Sequence, residues 1–543
     1  MPVFASFDRL LALAPSYGLS LNLSKCRVLW PHSSPPPPLI SDFCSSRRLP
    51  LVLDGIPTLG AVLTLDRSFA SAWALSHVTS SLSRPFALLL HPSLPFQHSY
   101  HLLRHSTIHS LTFLTRVLAP DVLAPAAAWF ESQVSAVCMR FLGLSLPLIP
   151  SVRRQLSLPI KLGGFGFRSL VLLSPLAFYS SLASSLPFIS GLFPLSSDRS
   201  TDSCSATSST ILLDVHGSSS LHSDLGGGSG GSPTVVACPM FPLLHSLASF
   251  LPSIPFLSRL SLPSSVSGFW STFSRNSPPP RLQHSLTAEL DSSLFSDHSV
   301  YVAASPVASR AFASASHSSS RYWLSCLPSS PALSLSCREF TLASRLRLFL
   351  PPSDSLSVRC LCSAPLSDPT HFLSCKRLKD LRRVRHDRIV RLLCSLIQRF
   401  GGVCQVEPSH FPSIRPDLLA FLLDLSFMLD VVVSHPCSPS RLSLPGAPLT
   451  VAKYAESRKT SRYSSILPSS TSAFVPFALE TFGALGPQAL SFVKRLSALS
   501  RDSFSSSLPS HPILPSLAIL LQRCNAYILS RGVLLSSVST STR

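Results

Sequence analysis

Four potential zinc ligands stand close together in the segment RCLCSAPLSDPTHFLSCKRL. They are Cys360, Cys362, His371 and Cys375. Three thiolates and one imidazole complete a tetrahedral zinc shell, and a closed shell of four protein ligands indicates a structural metal rather than a catalytic one. The Asp368-Pro369 step supplies a turn between the two halves. A chance grouping of cysteines is the alternative, because C-x-C is tighter than the usual C-x-x-C spacing.

A strongly basic segment, KRLKDLRRVRHDRIVRLLCSLIQRF, follows the cysteines directly. Its apolar residues recur near helical spacing, which predicts a helix. Its cations repel one another, and nucleic-acid phosphates would relieve that repulsion. A solvated helix face is the alternative interpretation. The candidate nucleic-acid contacts are Lys376, Arg377, Lys379, Arg382, Arg383, Arg385, Arg388 and Arg391.

Two aspartates mark a strongly apolar stretch downstream. Asp417, which follows Pro416, is separated by twelve residues from Asp430, and a β-branched run follows. An acid before one strand and an acid at the head of the next can meet across a hairpin. Two carboxylates there can hold Mg²⁺ or Mn²⁺, which activates water for phosphodiester hydrolysis. Surface acids near a turn are the alternative.

The elements that position these residues belong to a long, basic chain. It has 543 residues and 45 Lys and Arg against 25 Asp and Glu, a net charge of +20 that favours a polyanionic partner. The sequence has no uninterrupted apolar run of about 18 residues, so a membrane partner is not expected. The start does not resemble a signal peptide. The 14 cysteines are mostly scattered, which favours a reducing compartment, cytosol or nucleus.

Composition and periodicity predict several domains. We expect a mainly α-helical N-terminal half and a C-terminal α/β domain that carries a small zinc knuckle. The predicted regions are a helical part at 1–193, a Ser/Gly-rich linker at 194–233, a helical connector at 234–354, the knuckle at 355–376, the α/β domain at 377–500 and a poorly ordered Ser-rich tail at 501–543.

The order of motifs in the C-terminal half resembles a known family. A knuckle, an RH-x-x-I helix, VEP, RPD, twelve residues, DVV and a basic helix ending near Tyr463 follow one another. This order is similar to the restriction-like endonuclease of site-specific non-LTR retrotransposons, which belongs to the PD-(D/E)xK class. The resemblance implies catalytic metal ligation by Asp417 and Asp430, DNA and RNA as partners, and a nuclear location.

The N-terminal half resembles the same elements independently. FDRLLALAPSYGLSLNLSKC is similar to the segment after the reverse-transcriptase palm, and LPIKLGGFGFRS (158–169) to a block beyond the thumb. The 1–193 region is therefore expected to be thumb-like. The sequence contains no Y-x-D-D motif and the palm would lie before Met1, so we expect no reverse transcription by this chain.

The sequence departs from the family pattern at several positions. Ser363 stands where a glycine often follows the second cysteine, and Val432 occupies the usual position of the nuclease lysine. In the family that lysine moves to the following helix, which leaves Lys453 and Lys459, and we prefer Lys459. Two further acids, Glu456 and Glu480, are possible extra metal ligands, although a salt-bridged or exposed role is the simpler expectation for both.

Three functions remain open on sequence grounds. The leading hypothesis is a metal-dependent endonuclease that nicks target DNA for target-primed insertion. The second is a non-enzymatic nucleic-acid-binding remnant of a retroelement. The third is a degraded reading frame that does not fold as one protein. The high Ser and Pro content and the missing palm favour the second and third over an intact element, whereas intact Asp417, Asp430 and His371 argue against extensive decay. Target sequence and oligomeric state are not encoded in any motif that we recognise.

Overall fold

The structure, a computed structural model, describes residues 2–30, 35–192, 241–354, 359–360, 362–366, 368–409, 415–422, 425–464, 473–502 and 513–541. Contacts divide the chain into two compact units, the first formed by Met1–Ala70, Leu114–Leu123 and Ser174–Leu286, the second by Ser71–Phe113, Ala124–Leu173 and Thr287–Arg543. The predicted linker at 194–233 lies outside the described residues. This division differs from the sequence-based boundaries, since segments 71–113 and 124–173 belong with the C-terminal half.

The described residues up to 354 are mostly helical, with two small sheets. A parallel pair joins β1 (Val28–Leu29) to β2 (Leu51–Val52), and an antiparallel pair joins β3 (Ile56–Thr58) to β4 (Ala61–Leu63). The helices are α1 (Pro2–Leu13), α2 (Pro38–Ser46), α3 (Arg67–Leu89), α4 (Phe96–His105), α5 (Leu114–Val117), α6 (Pro120–Leu142), α7 (Pro150–Ser157), α8 (Leu170–Leu192), α9 (Phe241–Phe250), α10 (Val266–Phe273), α11 (Leu282–Ala303), α12 (Pro306–Ala315), α13 (Tyr322–Ser325) and α14 (Cys337–Arg347).

Aromatic packing forms the cores within each unit. In the first unit, Tyr179 of α8 meets Phe269 of α10 edge to face, with ring centroids 4.9 Å apart. In the second unit, Phe340 of α14 is fully buried between Tyr100 of α4 and Phe141 of α6. Buried aromatic rings contribute large apolar areas to a core. Segments 71–113 and 124–173 therefore share a core with α14 in the second unit.

The glycines of LPIKLGGFGFRS are required by a tight turn after α7. Gly163 and Gly166 have φ of 87° and 84°, in the left-handed region that side chains disfavour. A Cβ on Gly164 would lie 2.0 Å from the carbonyl oxygen of Leu158. The turn lets the buried rings of Phe165 and Phe167 enter the aromatic core. This motif therefore has a structural explanation within its own unit.

A mixed sheet dominates the C-terminal part of the second unit. Its strand order is β5-β6-β7-β8, with β5-β6 and β6-β7 antiparallel and β7-β8 parallel. The elements are α15 (Lys379–Arg399), β5 (Val403–Val406), β6 (Leu418–Leu422), β7 (Leu425–Ser434), α16 (Thr450–Ser464), β8 (Ala473–Glu480), α17 (Pro487–Asp502) and α18 (Ile513–Ser541). Helix α16 makes the crossover that a parallel strand pair requires.

The two faces of this sheet are covered by different helices. Alternate residues of β7 point to opposite faces, so Phe427, Leu429 and Val431 pack against α15, α17 and α18. On the other face, Met428 contacts Tyr463 of α16, and Val432 packs with alanines of the same helix. Asp430 shares the α16 face by alternation. The sheet thus carries one acid toward α16 from inside an apolar layer.

The tail differs from the sequence expectation. Residues 513–541 form the long helix α18, and Ile513, Leu517 and Leu521 enter the core of the sheet domain. Apolar residues three and four positions apart give this helix an apolar face. Burial of that face offsets the conformational entropy that the segment loses on folding, despite its many serines. By length and composition, segments Leu170–Gly191 and Ile513–Ser536 would also suffice to cross a membrane, but 56% and 67% of them are buried within the protein.

Candidate active site and metal centre

Strand pairing brings the two predicted acids together. Leu418 is aligned with Leu429, and the backbone N of Asp417 donates to the carbonyl of Leu429 over 3.0 Å, so Asp417 lies beside Asp430. The sequence predicted Asp430 at the head of its strand. It lies instead inside β7, because this strand begins at Leu425 to pair with β6 and continues along β8. Asp430 is buried, with 4% of its surface exposed.

Lys459 of α16 reaches this pair of carboxylates. Its Nζ donates to both Oδ1 and Oδ2 of Asp430, each over 2.7 Å. Lys453, six residues earlier on the helix, is exposed. Burial raises the pKa of Asp430, although the hydrogen bond from Lys459 opposes this shift, and the charge of Asp417 adds to it. The preferred lysine therefore lies at the acids, and Lys453, the other candidate, is about 120° around the helix from it.

His386 of α15 approaches the other acid and was given no role by the sequence analysis. Its Nε2 lies 3.1 Å from Asp417 Oδ2 and 3.2 Å from the carbonyl oxygen of Val431. The backbone N of Val431 also donates to Asp417 Oδ2 over 2.6 Å. Burial raises the pKa of Asp417, but the hydrogen bonds from His386 and Val431 outweigh burial, so the pKa is lowered overall. The hydrogen bond between His386 and Asp417 raises the pKa of His386 to about 9.

Glu456 and Glu480 differ from the salt-bridged or exposed role that the sequence suggested. Each is almost fully buried rather than exposed, and neither takes part in a salt bridge among the described residues. Glu456 accepts hydrogen bonds from the backbone N of Gln488 and Ala489, at the start of α17. Glu480 accepts from Ala452 N in the first turn of α16 and from the hydroxyl of Ser314. Carboxylates satisfy unpaired N–H groups at helix starts, which explains their burial.

The predicted knuckle ligands converge in space. The ligand atoms of Cys360, Cys362, His371 and Cys375 all lie within 4.8 Å of one another. The Sγ atoms of Cys360 and Cys375 are 3.6 Å apart, and Cys362 Sγ is 3.2 Å from His371 Nε2. Bonds of about 2.3 Å to sulfur and 2.0 Å to nitrogen give tetrahedral edges of about 3.5–3.8 Å. The cluster can therefore hold a metal ion such as zinc.

The basic helix is present, but its cations have different surroundings. Lys376, Arg377, Lys379, Arg383, Arg388 and Arg391 are exposed, and Arg382 is half-buried. Arg385 is only 2% exposed, and its Nη1 donates to Asn525 Oδ1 of α18 over 2.8 Å. The assignment of Arg385 as a nucleic-acid contact was wrong, because it lies on the core-facing stripe of α15 with Ile389 and Leu393.

Buried polar side chains connect the knuckle to the sheet domain. Thr370, next to His371, places its hydroxyl 2.9 Å from His435 Nε2, and His435 Nδ1 lies 2.8 Å from the hydroxyl of Thr481. Asn525 Nδ2 donates to the carbonyl of Thr481 over 2.7 Å, and Asn525 Oδ1 accepts from Arg385. Buried polar groups must be paired, and this chain of bonds pairs them across several elements. The knuckle is thus fixed to the end of the sheet.

Comparison with known proteins gives one relationship. The chain is 27% identical over 149 residues to the "Retrotransposable element SLACS 132 kDa protein" of Trypanosoma brucei gambiense. The likeness supports a retrotransposon-related origin. It covers 26% of this chain and 13% of the trypanosome protein, so the chain matches only about an eighth of that relative's length. No family model matches the chain.

Proposed function

We propose that this retroelement-derived chain is a divalent-metal-dependent endonuclease that nicks duplex DNA for target-primed insertion. The observation that carries the proposal is the convergence of Asp417, Asp430 and Lys459, which come from a strand start, a strand interior and a helix. A bound Mg²⁺ or Mn²⁺ would supply a hydroxide nucleophile and neutralise charge on the scissile phosphate. The donor set fits such an ion, since carboxylate oxygens are the ligands that these metals prefer.

The protein's own groups divide the remaining work. Asp417 and Asp430 present their oxygens at one end of the β6-β7 hairpin, and hydrogen bonds hold both side chains in place. Lys459, already at Asp430, would stabilise negative charge on the attacked phosphate or the departing ester oxygen. The exposed cations of α15 would hold the DNA or RNA backbone. The proposal also includes a structural zinc in the knuckle and a nuclear location. It does not include a membrane partner.

The test is nicking of supercoiled plasmid DNA by the purified full chain with Mg²⁺ or Mn²⁺. Asp417→Asn and Asp430→Asn should each abolish nicking and leave DNA binding unchanged, and EDTA should stop the wild-type reaction. Lys459→Ala should slow nicking by about 100-fold, the usual cost of a lost charge-stabilising donor. Lys453→Ala is the matched control and should change the rate less than about threefold, within the scatter of surface substitutions. Wild-type protein that binds DNA without nicking it would instead favour a non-enzymatic binding remnant.

A further inference from the structure

His386 has the surroundings of a metal-binding histidine. Its Nδ1 lies 3.1 Å from Asp387 Oδ1, and its Nε2 faces Asp417 Oδ2 and the carbonyl oxygen of Val431. Histidines that bind metals through one ring nitrogen almost always direct the other to a carboxylate or carbonyl, which fixes the ring and raises its basicity. Asp387 supplies this second contact from the adjacent position of the same helix.

The distances around Nε2 also fit a metal ion. Adjacent ligands of an octahedral ion with bonds of about 2.1 Å are about 3.0 Å apart. His386 Nε2 lies 3.1 Å from the Asp417 oxygen and 3.2 Å from the Val431 oxygen, so both nitrogen–oxygen separations match adjacent positions of such a shell. The three come from α15, the start of β6 and β7, which are held together by the packed core of the sheet domain.

We infer that His386 Nε2, Asp417 Oδ2 and the Val431 carbonyl oxygen are inner ligands of the divalent ion, with Asp430 on its other side. This inference rests on the proposed function and makes the ion site a mixed nitrogen and oxygen site. Magnesium prefers a shell of oxygens only, whereas first-row transition metals accept imidazole. The site therefore selects Mn²⁺ over Mg²⁺, and His386 is the residue that confers this selection.

The competing role for His386 is a hydrogen bond that only orients Asp417. The two roles differ in what His386→Asn should do. An asparagine amide can still donate to a carboxylate, but it is a poor replacement for an imidazole ligand. The substitution Asp387→Asn probes the supporting contact, and loss of such a contact typically costs about 10–100-fold in metal affinity.

The experiment uses the full chain loaded with one zinc, so that the knuckle does not compete for the added metal. Mn²⁺ binding is titrated by electron paramagnetic resonance, and pulsed spectra of the bound ion are searched for ¹⁴N coupling. We expect one Mn²⁺ site per chain with a directly coupled nitrogen. His386→Asn should remove that coupling and weaken Mn²⁺ at least tenfold, while Mg²⁺ affinity, measured by competition, falls much less. Asp387→Asn should keep the coupling and weaken Mn²⁺.

The outcomes separate the inference from the proposed function. If His386→Asn binds Mn²⁺ as wild type does, or if wild type shows no nitrogen coupling, the ligand role is overturned even where plasmid nicking persists. Another outcome is that the wild type shows the nitrogen coupling, and His386→Asn the selective loss of Mn²⁺ binding, while the wild type nicks no DNA with either metal. In that case the inference stands and the endonuclease proposal fails. His386→Ala serves as a second variant, and thermal unfolding of both variants identifies any loss of metal that comes from loss of the fold.

Discussion

The knuckle and the acid pair are two ligand clusters in one unit, and they differ in how the protein balances them. In the knuckle, three thiols and an imidazole face one another across at most 4.8 Å. In the acid pair, each carboxylate already has a partner from the protein, His386 for Asp417 and Lys459 for Asp430. A cluster that satisfies its own charges folds without metal, whereas a closed ligand shell adds the metal's binding energy to folding. Under the proposed function, a metal in the knuckle would serve the fold, and a metal at the acid pair would serve chemistry.

The largest expected effect tests this separation directly. Cys375→Ser removes one knuckle ligand and should lower the free energy of unfolding by about 4 kcal/mol or more, because structural zinc contributes to folding itself. Asp430→Asn should change it by only about 1 kcal/mol, since it also removes a buried like-charge neighbour of Asp417. Urea unfolding of the zinc-loaded proteins measures both. Equal losses in the two variants would contradict the distinction.

The cations of α15 provide the next test of the comparison, because this helix follows the knuckle along the chain and carries His386 to the acid pair. With about 100° between successive residues, Lys379 and Arg383 fall on the helix face of His386, whereas Arg391 and Arg399 fall on the opposite side. A nucleic acid that serves the acid pair should contact the first face. Lys379→Gln with Arg383→Gln should lower the slope of log affinity against log salt by roughly two units.

The matched control for that prediction removes the same charge from the other face. Arg391→Gln with Arg399→Gln should leave the slope within about half a unit of wild type, because those residues face away from His386. Binding of duplex DNA is measured by fluorescence anisotropy between low and moderate salt. If both double variants lose the same amount, the basic run acts through net charge rather than through an oriented face.

The contact between knuckle and sheet predicts a pH dependence. Burial, with the charges of Arg385, Arg382 and His371, lowers the pKa of His435 to about 3. An unfolded histidine titrates near about 6.5, so below that pH the unfolded chain takes up a proton that folded His435 refuses. The free energy of unfolding should therefore fall with decreasing pH, by up to about 1.4 kcal/mol per pH unit.

His435→Gln isolates this effect. The variant cannot take up the proton, so the difference in unfolding free energy between wild type and variant should shrink from pH 7 to pH 5.5. Both proteins are kept zinc-saturated over this range, so that release of metal does not contribute. His101 supplies a control, because burial lowers its pKa to about 4 without a contact to the knuckle, and His101→Gln should leave zinc affinity unchanged. A difference that stays constant with pH would contradict the assignment of a neutral, buried His435.

The parts of the site that the sequence predicted are those whose residues lie close together along the chain. The knuckle ligands lie within a segment of 16 residues, and the acids flank one hairpin, so their spacing in the sequence was enough to predict that they meet. Arg385 was misassigned because its partner Asn525 lies 140 positions away, in a tail expected to be poorly ordered. The sequence did contain a signal for the burial of Arg385, because this charged residue lies on the apolar stripe of its helix. The same pattern could have indicated that His386 faces the protein interior. Lys459 was chosen by family resemblance, since no local pattern ties it to Asp430.

The smallest expected effect concerns the backbone of the knuckle. Ser363 has a φ of 65°, and its N–H donates to the carbonyl of Cys360 over 2.8 Å, so the turn between Cys360 and Ala364 depends on this conformation. The left-handed region costs a non-glycine residue about 1–2 kcal/mol, whereas glycine adopts it freely. Greater freedom in the unfolded chain offsets about 0.4–1 kcal/mol of the gain. Ser363→Gly should therefore stabilise the zinc-loaded protein by about 0.5 kcal/mol.

Ser374→Gly is the control, because Ser374 has a φ of −118° and the same replacement there should destabilise by a similar amount. Opposite shifts of the urea midpoint at an unchanged slope would support a strained turn, and a loss of stability in both variants would contradict it.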